Sequence, residues 1–334
     1  MSERIYLDYN ATAPLRPEAR EAMVLALEQW GNPSSAHAEG RLAKATIEEA
    51  REVLAAAIGA DPSEIVFTSG GTEADNLAIL GAVVQPGRTR VVTSAVEHPA
   101  VLQTCRCLAI ERGIDLRVVP CDRMGRVSAP AVTEACEPDT ALVSLMHANN
   151  EVGTIQPVAA VARGLAGQDV LVHCDAVQSL GKVPVDVDEL GVDLLSVSAH
   201  KLGGSKGIGA LYVRKTRADQ LSPLMGGGEQ ERRRRPGTEN VVAIAGFKAA
   251  LEAALQDLAG EADRLRQLRA RLWAGIQREA PDCVVNGDLD HGLPNTLNVS
   301  FGDLNGEDLM MALDLRGLAV STGSACAVGA HKPS

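Results

Sequence analysis

The amino-acid sequence predicts an α/β protein: a large domain with a mostly parallel sheet and helices on both faces, followed by a smaller α+β domain. Two observations support this prediction. Apolar, strand-like runs alternate with helix-like runs up to Val213, which is typical of βαβ units. From residue 240 onward the alternation stops, and a long stretch rich in Ala, Leu, Arg and Glu follows.

The large domain is predicted over residues 15–250, and residues 1–14 and 251–334 form the small one. Seven strand-like runs supply its sheet; they lie at residues 65–68, 89–93, 116–120, 140–146, 170–174, 194–198 and 208–213. Helices are predicted at residues 17–30, 38–58, 73–84 and 99–112. Pro17 suits a first helical turn, where its missing N–H has no partner to lose. The second part of the chain predicts one helix over residues 240–276, a strand at 296–301, a helix at 306–315 and a strand at 318–321.

Composition narrows the classes of function. The 334 residues carry a net charge of −11, which argues against nucleic acid or an anionic membrane surface as a partner. No apolar run reaches transmembrane length, and the first residues lack the apolar stretch of a signal peptide, so a cytoplasmic location is expected. The seven cysteines are odd in number and include no C-x-x-C pair. Neither a disulfide framework nor a metal site is therefore expected.

Lys201 has the most informative setting in the chain. It follows a strand-like run in the sequence Ser-Ala-His-Lys-Leu-Gly-Gly at residues 198–204. A lysine here suits a covalent bond to an aldehyde cofactor, and its neighbours suit a phosphate. An earlier apolar strand ends on Asp175, which suits a pyridine nitrogen, and Gln178 could reach a ring hydroxyl. Together these residues predict pyridoxal phosphate (PLP).

Two further positions fit the same cofactor. The sequence Thr-Ser-Gly-Gly-Thr-Glu at residues 68–73 joins a strand to a helix. Its glycines allow close backbone approach, and the helix N-terminus offers free N–H groups to a phosphate. His98 follows the next strand-like run, at the end of a strand where ligands bind in open α/β sheets, and could stack on a pyridine ring.

Each of these residues also has an ordinary structural explanation. Residues 68–73 could simply be a capped helix start, and His98 a polar loop residue. Asp175 could cap the turn that follows it, and Lys201 could be a solvated surface lysine. The glycine-rich turn alone does not decide between the two interpretations. For the whole set, the ordinary explanation would have to hold at every position at once.

The ordered motifs resemble a known family over nearly the whole chain. The matching segments lie at residues 6–12, 31–35, 70–76, 146–153, 175–178, 198–201, 237–240 and 324–326. In this set the chain resembles a cysteine desulfurase of the PLP-dependent class V aminotransferase superfamily. It is most similar to the group I enzymes of iron–sulfur cluster assembly, which include the nitrogenase type. The resemblance implies PLP fold type I, with a seven-stranded sheet in the large domain.

The resemblance implies a role for each matching residue. Lys201 would hold PLP covalently, Asp175 would pair with its ring nitrogen, Gln178 with its ring hydroxyl, and His98 would stack on the ring. Four residues would hold the phosphate: Gly71, Thr72, Ser198 and His200. Asn150 would lie near the ring hydroxyl and the substrate carboxylate. Thr238 would reach the phosphate in the other subunit of a homodimer.

Cys326 would be the nucleophile of this reaction. The loop around it, residues 321–330, consists of small residues and glycines, so its thiol can be exposed and move between the cofactor and a partner. L-cysteine would become alanine, and a persulfide on Cys326 would pass to a sulfur-acceptor or iron–sulfur scaffold protein. Cys326 could also contact an iron–sulfur cluster transiently. Without the lysine constellation, Cys326 would be interpreted as a free cysteine in a loop.

The sequence also departs from the family pattern. In the family, relatives continue beyond the position of Ser334, where the small domain is completed and an arginine binds the substrate carboxylate, and no residue of the sequence given can be assigned that role. Glu229 is one extra residue before the motif that contains Arg232 and Arg235. These arginines could lie in a solvated loop, or support the phosphate site and the dimer contact. Three alternative functions stay open: a selenocysteine lyase, a class V aminotransferase, and a catalytically weak PLP-binding partner in sulfur transfer.

Overall fold

A seven-stranded sheet forms the centre of the large domain. The computed structural model describes residues 4–83, 87–302 and 304–323. The strands of this sheet are β2 (Ile65–Thr68), β3 (Arg90–Ser94), β4 (Asp115–Val119), β5 (Thr140–Ser144), β6 (Leu171–Asp175), β7 (Leu194–Ser198) and β8 (Gly209–Val213). Their order is β2-β8-β7-β6-β5-β3-β4. Only β8 runs antiparallel to its neighbours β7 and β2, so the predicted mostly parallel sheet is confirmed.

Neighbouring residues of one strand belong to different hydrophobic clusters. Phe67 packs in a cluster with residues of the helices Ala38–Ala57 (α2) and Val241–Leu255 (α8). Val66 packs in a second cluster with residues of the helices Gly71–Ala82 (α3) and Pro99–Arg112 (α4). Because successive side chains of a strand point to opposite faces, the sheet is covered by helices on both sides.

Six more α-helices belong to the described part of the chain. They are α1 (Pro17–Ala26), α5 (Ala129–Glu134), α6 (Val158–Gly164), α7 (Val187–Leu190), α9 (Leu258–Glu279) and α10 (Gly306–Leu315). The first helix ends at Ala26, earlier than the predicted residue 30. Sequence analysis did not predict α5, α6 and α7, because four to seven residues are too few to show a helical period.

The prediction of one helix over residues 240–276 was wrong. The chain breaks between α8 and α9 at Asp257, whose φ of −143° is not helical. The Asp257 side chain accepts a hydrogen bond from Gly260 N and so caps the second helix. An aspartate inside a helical pattern was the available signal, since Asp competes with helix by this kind of local bond.

Two small sheets lie outside the central one. Strand β1 (Ile5–Tyr6) pairs in parallel with β11 (Leu318–Ala319), and β9 (Val284–Asn286) pairs antiparallel with β10 (Asn298–Ser300). The pairing of β1 with β11 supports a small domain built from both ends of the chain, but the boundaries given above stay a prediction. Within the described ranges, no helix is long and apolar enough to cross a membrane.

Candidate functional site

The predicted site residues gather at one edge of the sheet. Asp175 is the last residue of β6, Ser198 is the last residue of β7, and Gly71 begins the helix that follows β2. His98 lies four residues beyond the end of β3. Because β2, β3, β6 and β7 run in the same direction, their carboxyl ends meet at this edge, where open α/β sheets bind ligands.

A segment near the N-terminus lies across the Lys201 turn. Lys201 ends a short 3₁₀ turn, Ala199–Lys201, directly after β7. Its Nζ donates to the carbonyl oxygens of Asn10 at 2.6 Å and Ala11 at 2.9 Å. The His200 carbonyl accepts from Ala13 N at 2.9 Å. The lysine is therefore held at a defined place by backbone oxygens.

Asn10 connects several predicted site residues. Its carbonyl accepts from Gln178 Nε2 at 2.9 Å as well as from Lys201. Its side-chain Nδ2 donates to Asn150 O at 3.1 Å and to Thr296 Oγ1 at 2.9 Å. Sequence analysis assigned Asn10 no role, and the one available signal was its place in the matching segment 6–12.

Asp175 is a buried carboxyl group whose surroundings suit a contact with a cationic ring nitrogen. Its Oδ1 accepts from Val177 N at 2.9 Å, and no hydrogen bond reaches its Oδ2 from the residues described. Burial raises the pKa of Asp175, while the nearby charges of His98 and Lys201 act to lower it. A buried carboxyl of this kind gains from a cationic N–H partner, which the protonated pyridine nitrogen of PLP provides.

A backbone hydrogen bond sets the orientation of the His98 ring. Its Nδ1 accepts from Ala100 N at 3.1 Å, which assigns the proton of the neutral imidazole to Nε2. The pKa of His98 lies below its ordinary value, mainly because the ring is buried. The preceding residue, Glu97, is buried and accepts from Met146 N, two residues beyond the end of β5. His98 is therefore tied to the sheet, which suits stacking on a planar cofactor.

The N-terminus of α3 forms an open cradle. Its N-cap residue, Gly70, has no side chain to cap the helix, and a Cβ built there would meet nothing within 4 Å. A Cβ on Gly71 would lie 3.5 Å from Ser198 Cβ, so the helix start and the end of β7 adjoin. Free N–H groups beside a hydroxyl fit a phosphate. Gly71, Thr72 and Ser198 thus fit the phosphate of PLP.

The neighbouring acid is kept away from this cradle. Glu73 accepts from Ser69 N at 2.7 Å and from Arg235 Nε at 2.9 Å, and these donors lower the pKa of Glu73 against the effect of burial. The His200 ring contacts the N-terminal segment, with Nδ1 3.2 Å from Thr12 Oγ1. Burial, followed by the charge of Lys201, lowers the pKa of His200 to about 4, so its ring is neutral at pH 7.

Comparison with known proteins places this geometry in a family. The sequence model for aminotransferase class-V matches residues 5–334. This chain belongs to the aminotransferase class-V family. The cysteine desulfurase IscS of Dictyoglomus turgidum is 47% identical over 100% of the chain and 85% of its own length. The putative cysteine desulfurase IscS 1 of Bacillus subtilis is 46% identical over 99% of the chain and 88% of its own length. A solved NifS-like protein superposes with a TM-score of 0.91 at 40% identity, covering 96% of this chain and 87% of its own.

One predicted site residue of this class-V protein, Thr238, does not join this edge among the residues described. Thr238 is exposed, and no hydrogen bond joins it to the site within the described chain. Cys326 lies outside the described residues, so its role stays a prediction. Arg232 donates to Ile65 O at 3.2 Å, and Arg235 binds Glu73 at the start of α3. Of these two arginines, Arg235 is the one that contacts the start of α3.

Proposed function

We propose that this class-V protein is a PLP-dependent cysteine desulfurase. It converts L-cysteine to L-alanine and passes the sulfur, as a persulfide on Cys326, to an acceptor for iron–sulfur cluster assembly. The convergence of Lys201, Asp175 and the open N-terminus of α3 at one sheet edge carries this proposal. Relatives named cysteine desulfurase, 46–47% identical over essentially the whole chain, support the choice of reaction.

Different residues at this edge would hold different parts of the cofactor. Lys201 would bind PLP covalently, Asp175 and Gln178 would hold its ring, and His98 would stack on it. Gly71, Thr72, Ser198 and His200 would hold its phosphate. PLP, when bound, supplies an electron sink for the negative charge that develops at the substrate Cα. Asn150 would contact the substrate carboxylate.

Proton and sulfur transfers are assigned to side chains of this chain. The Lys201 amine would take the Cα proton of the substrate, and His98, whose neutral ring carries its proton on Nε2, would serve as a proton donor. The Cys326 thiolate would attack the substrate sulfur. As the S–S bond forms, the Cβ–Sγ bond of the substrate breaks and its electron pair passes to Cβ. Protonation of the carbon skeleton then gives alanine. The persulfide then remains on Cys326.

A homodimer is part of the proposal. Thr238 is exposed in the single chain, as a residue reaching a partner's phosphate must be. Large apolar side chains in and just after α1 are exposed as well, with exposures of 67% for Leu25, 65% for Leu27 and 78% for Trp30. Burying such a surface against a second copy would be favourable. The six described cysteines are free thiols, in keeping with a cytoplasmic location.

Alanine formation from L-cysteine by the PLP-loaded protein tests the function. Wild-type protein should release alanine and carry a persulfide on Cys326, detected by mass spectrometry. Lys201→Ala should abolish both products, and Cys326→Ala should abolish the persulfide and sulfur transfer. Cys107→Ala is the matched control, because Cys107 is exposed and has no assigned role.

Other outcomes select the alternatives. Amino transfer to a keto acid, with no alanine from cysteine, would identify an aminotransferase. Turnover of selenocysteine but not cysteine would identify a lyase of that substrate. PLP binding without turnover of either would reduce the chain to a PLP-binding partner. Full sulfur transfer by Cys326→Ala would remove the assigned nucleophile.

A further inference from the structure

A second lysine lies beside the Lys201 turn. Lys182 is half-buried, and its Nζ donates to Gln178 Oε1 at 2.8 Å. Sequence analysis gave Lys182 no role. The same Gln178 amide donates through Nε2 to the Asn10 carbonyl at 2.9 Å, which Lys201 Nζ also reaches at 2.6 Å. Lys182 is thus linked to Lys201 through one amide and one carbonyl.

The chemistry of the two side chains fixes the orientation of the amide. An amide has a donor end and an acceptor end, and either can be turned toward a given point. A lysine amine at Nζ offers donors to the amide and therefore binds its oxygen. With Oε1 held by Lys182, the NH₂ group of Gln178 faces the Asn10 carbonyl, which Lys201 also reaches. Removal of the Lys182 donor would leave both amide orientations accessible.

The segment that carries Lys182 is packed against the Lys201 turn. Gly181 has φ +76°, and a Cβ built there would lie 3.3 Å from the Cβ of Leu202, the residue after Lys201. Lys182 N also donates to Ser179 O at 3.0 Å. This backbone has little freedom to move away, so the placement of the Lys182 side chain is set by the fold.

We propose that Lys182 is a positioning residue for the PLP site: it holds the Gln178 amide with its NH₂ group toward the Asn10 carbonyl that Lys201 also reaches, and it adds a positive charge beside that lysine. The inference rests on the proposed function, in which Gln178 binds the ring hydroxyl of PLP. A donor at that hydroxyl and a cation near the Lys201 nitrogen both disfavour protonation of that nitrogen when PLP is bound. Lys182 would therefore tune the protonation of the bound cofactor through two effects of the same sign.

The surrounding charges agree with this role. Burial, and then the charge of Lys201, lower the pKa of Lys182 to about 7. An amine and an ammonium both carry N–H donors, so the bond to Gln178 survives this titration, whereas the positive charge acts only below it. The other titratable groups that face this part of the site are His200, Lys201, Lys206, Asp175 and His98. All of them are retained in the variants that test Lys182.

The test measures the pH midpoint of the visible absorbance of bound PLP. Lys182→Met removes the donor and the charge at similar length. It should raise the midpoint by about one pH unit, a tenfold change in proton affinity. Lys182→Arg keeps both and should restore a midpoint near that of wild type. Lys215→Met is the matched control, since Lys215 is exposed and follows β8 at the opposite edge of the sheet.

A double-variant cycle tests whether Lys182 acts through Gln178. In a Gln178→Ala background, Lys182→Met should shift the midpoint by less than it does in wild type. If Lys182→Met does not fold, Lys182→Leu supplies a second neutral side chain that has no donor. A midpoint unchanged in the neutral variants, with wild-type PLP absorbance present, would overturn the inference alone. Absence of any PLP absorbance from the wild-type protein would overturn the proposed function and this inference with it.

Discussion

Arg51 and Glu231 form a buried, bidentate ion pair. Arg51 Nη1 and Nη2 donate to the two carboxylate oxygens of Glu231 at 2.8 and 2.7 Å, and the side chains are only 4% and 1% exposed. Glu231 also accepts from Phe67 N, and Arg51 donates to Ile65 O, both at 2.8 Å. The pair therefore ties α2 and β2 to a turn far along the chain.

That turn has an unfavourable backbone. Glu231, Arg232 and Arg233 have φ values of 46°, 54° and 65°. Left-handed conformations cost residues other than glycine roughly 1 kcal/mol each. The buried ion pair offsets this cost and fixes the turn immediately before Arg235 and Thr238.

Arg51→Met should destabilise the protein strongly. It leaves the Glu231 carboxylate buried without its cation, a change that typically costs about 3–5 kcal/mol. Denaturant unfolding of both proteins measures the loss. Arg264→Met is the control, because the Arg264–Glu261 pair is exposed and should contribute little. Equal effects of the two substitutions would show that the buried pair does not hold the turn.

His173 should make the fold sensitive to acid. Its Nδ1 lies 2.8 Å from Ser144 Oγ and its Nε2 lies 2.9 Å from Ser196 Oγ, and burial lowers its pKa to about 3. The unfolded chain binds this proton below about pH 6.5, but the folded chain does not until about pH 3. Stability contributed by neutral His173 is therefore lost as pH falls through this window, by about 1.4 kcal/mol per pH unit.

The comparison between wild type and His173→Gln isolates this contribution. Denaturant midpoints at pH 7, 6 and 5 should fall more steeply for wild type, because the glutamine does not titrate. The buried carboxyl group of Glu97 acts in the opposite sense: burial raises its pKa to about 8, so its contribution is lost as pH rises. Since Glu97 is present in both proteins, the difference in slope belongs to His173. Identical slopes would contradict the prediction.

Cysteine reactivity should follow burial. Burial raises the pKa of Cys105 to about 12 and that of Cys136 to about 11, whereas Cys107 and Cys121 are exposed. Because the thiolate is the reactive form, an alkylating reagent should modify Cys107 and Cys121 in the native protein well before Cys105. Peptide mass spectrometry over time measures the order. Labelling of Cys105 as fast as Cys107, without denaturant, would contradict it.

The central sheet could be predicted from local pattern. Strands such as β2 and β7 are short apolar runs in which every residue is buried, and the structure places them within two residues of their predicted limits. The site residues near the ends of β6 and β7 follow from the same pattern, because parallel strands end at a common edge. The antiparallel direction of β8 could not be predicted, because an apolar run does not indicate whether its strand pairs parallel or antiparallel with its neighbours.

Long-range hydrogen bonds account for what sequence analysis missed at the site. Asn10 reaches Gln178 and Lys201, which are far away in the chain. Lys182 is linked to the site only through Gln178, whose Oε1 accepts from Lys182 and whose Nε2 donates to Asn10. No local spacing encodes such contacts. The Glu231 turn is similar, because its left-handed residues are stabilised by an arginine from α2.

Gly209→Ala should weaken PLP binding by closing the approach to the phosphate cradle. Gly209 begins β8 and pairs with Thr68 and Ser198, and a Cβ there would lie only 2.6 Å from the backbone carbon of Gly70. Backbone atoms on both sides of the strand leave no flexible side chain to move aside. We expect a lower stability and about tenfold weaker PLP binding, or one pKd unit.

Gly275→Ala in α9 is the control, because its Cβ would meet nothing within 4 Å and alanine favours a helix by about 0.5–1 kcal/mol. Absorbance titration with PLP and denaturant unfolding separate the two effects. If Gly209→Ala bound PLP as tightly as wild type, the start of α3 would not be where the phosphate lies, since that turn cannot keep its place against the added methyl group.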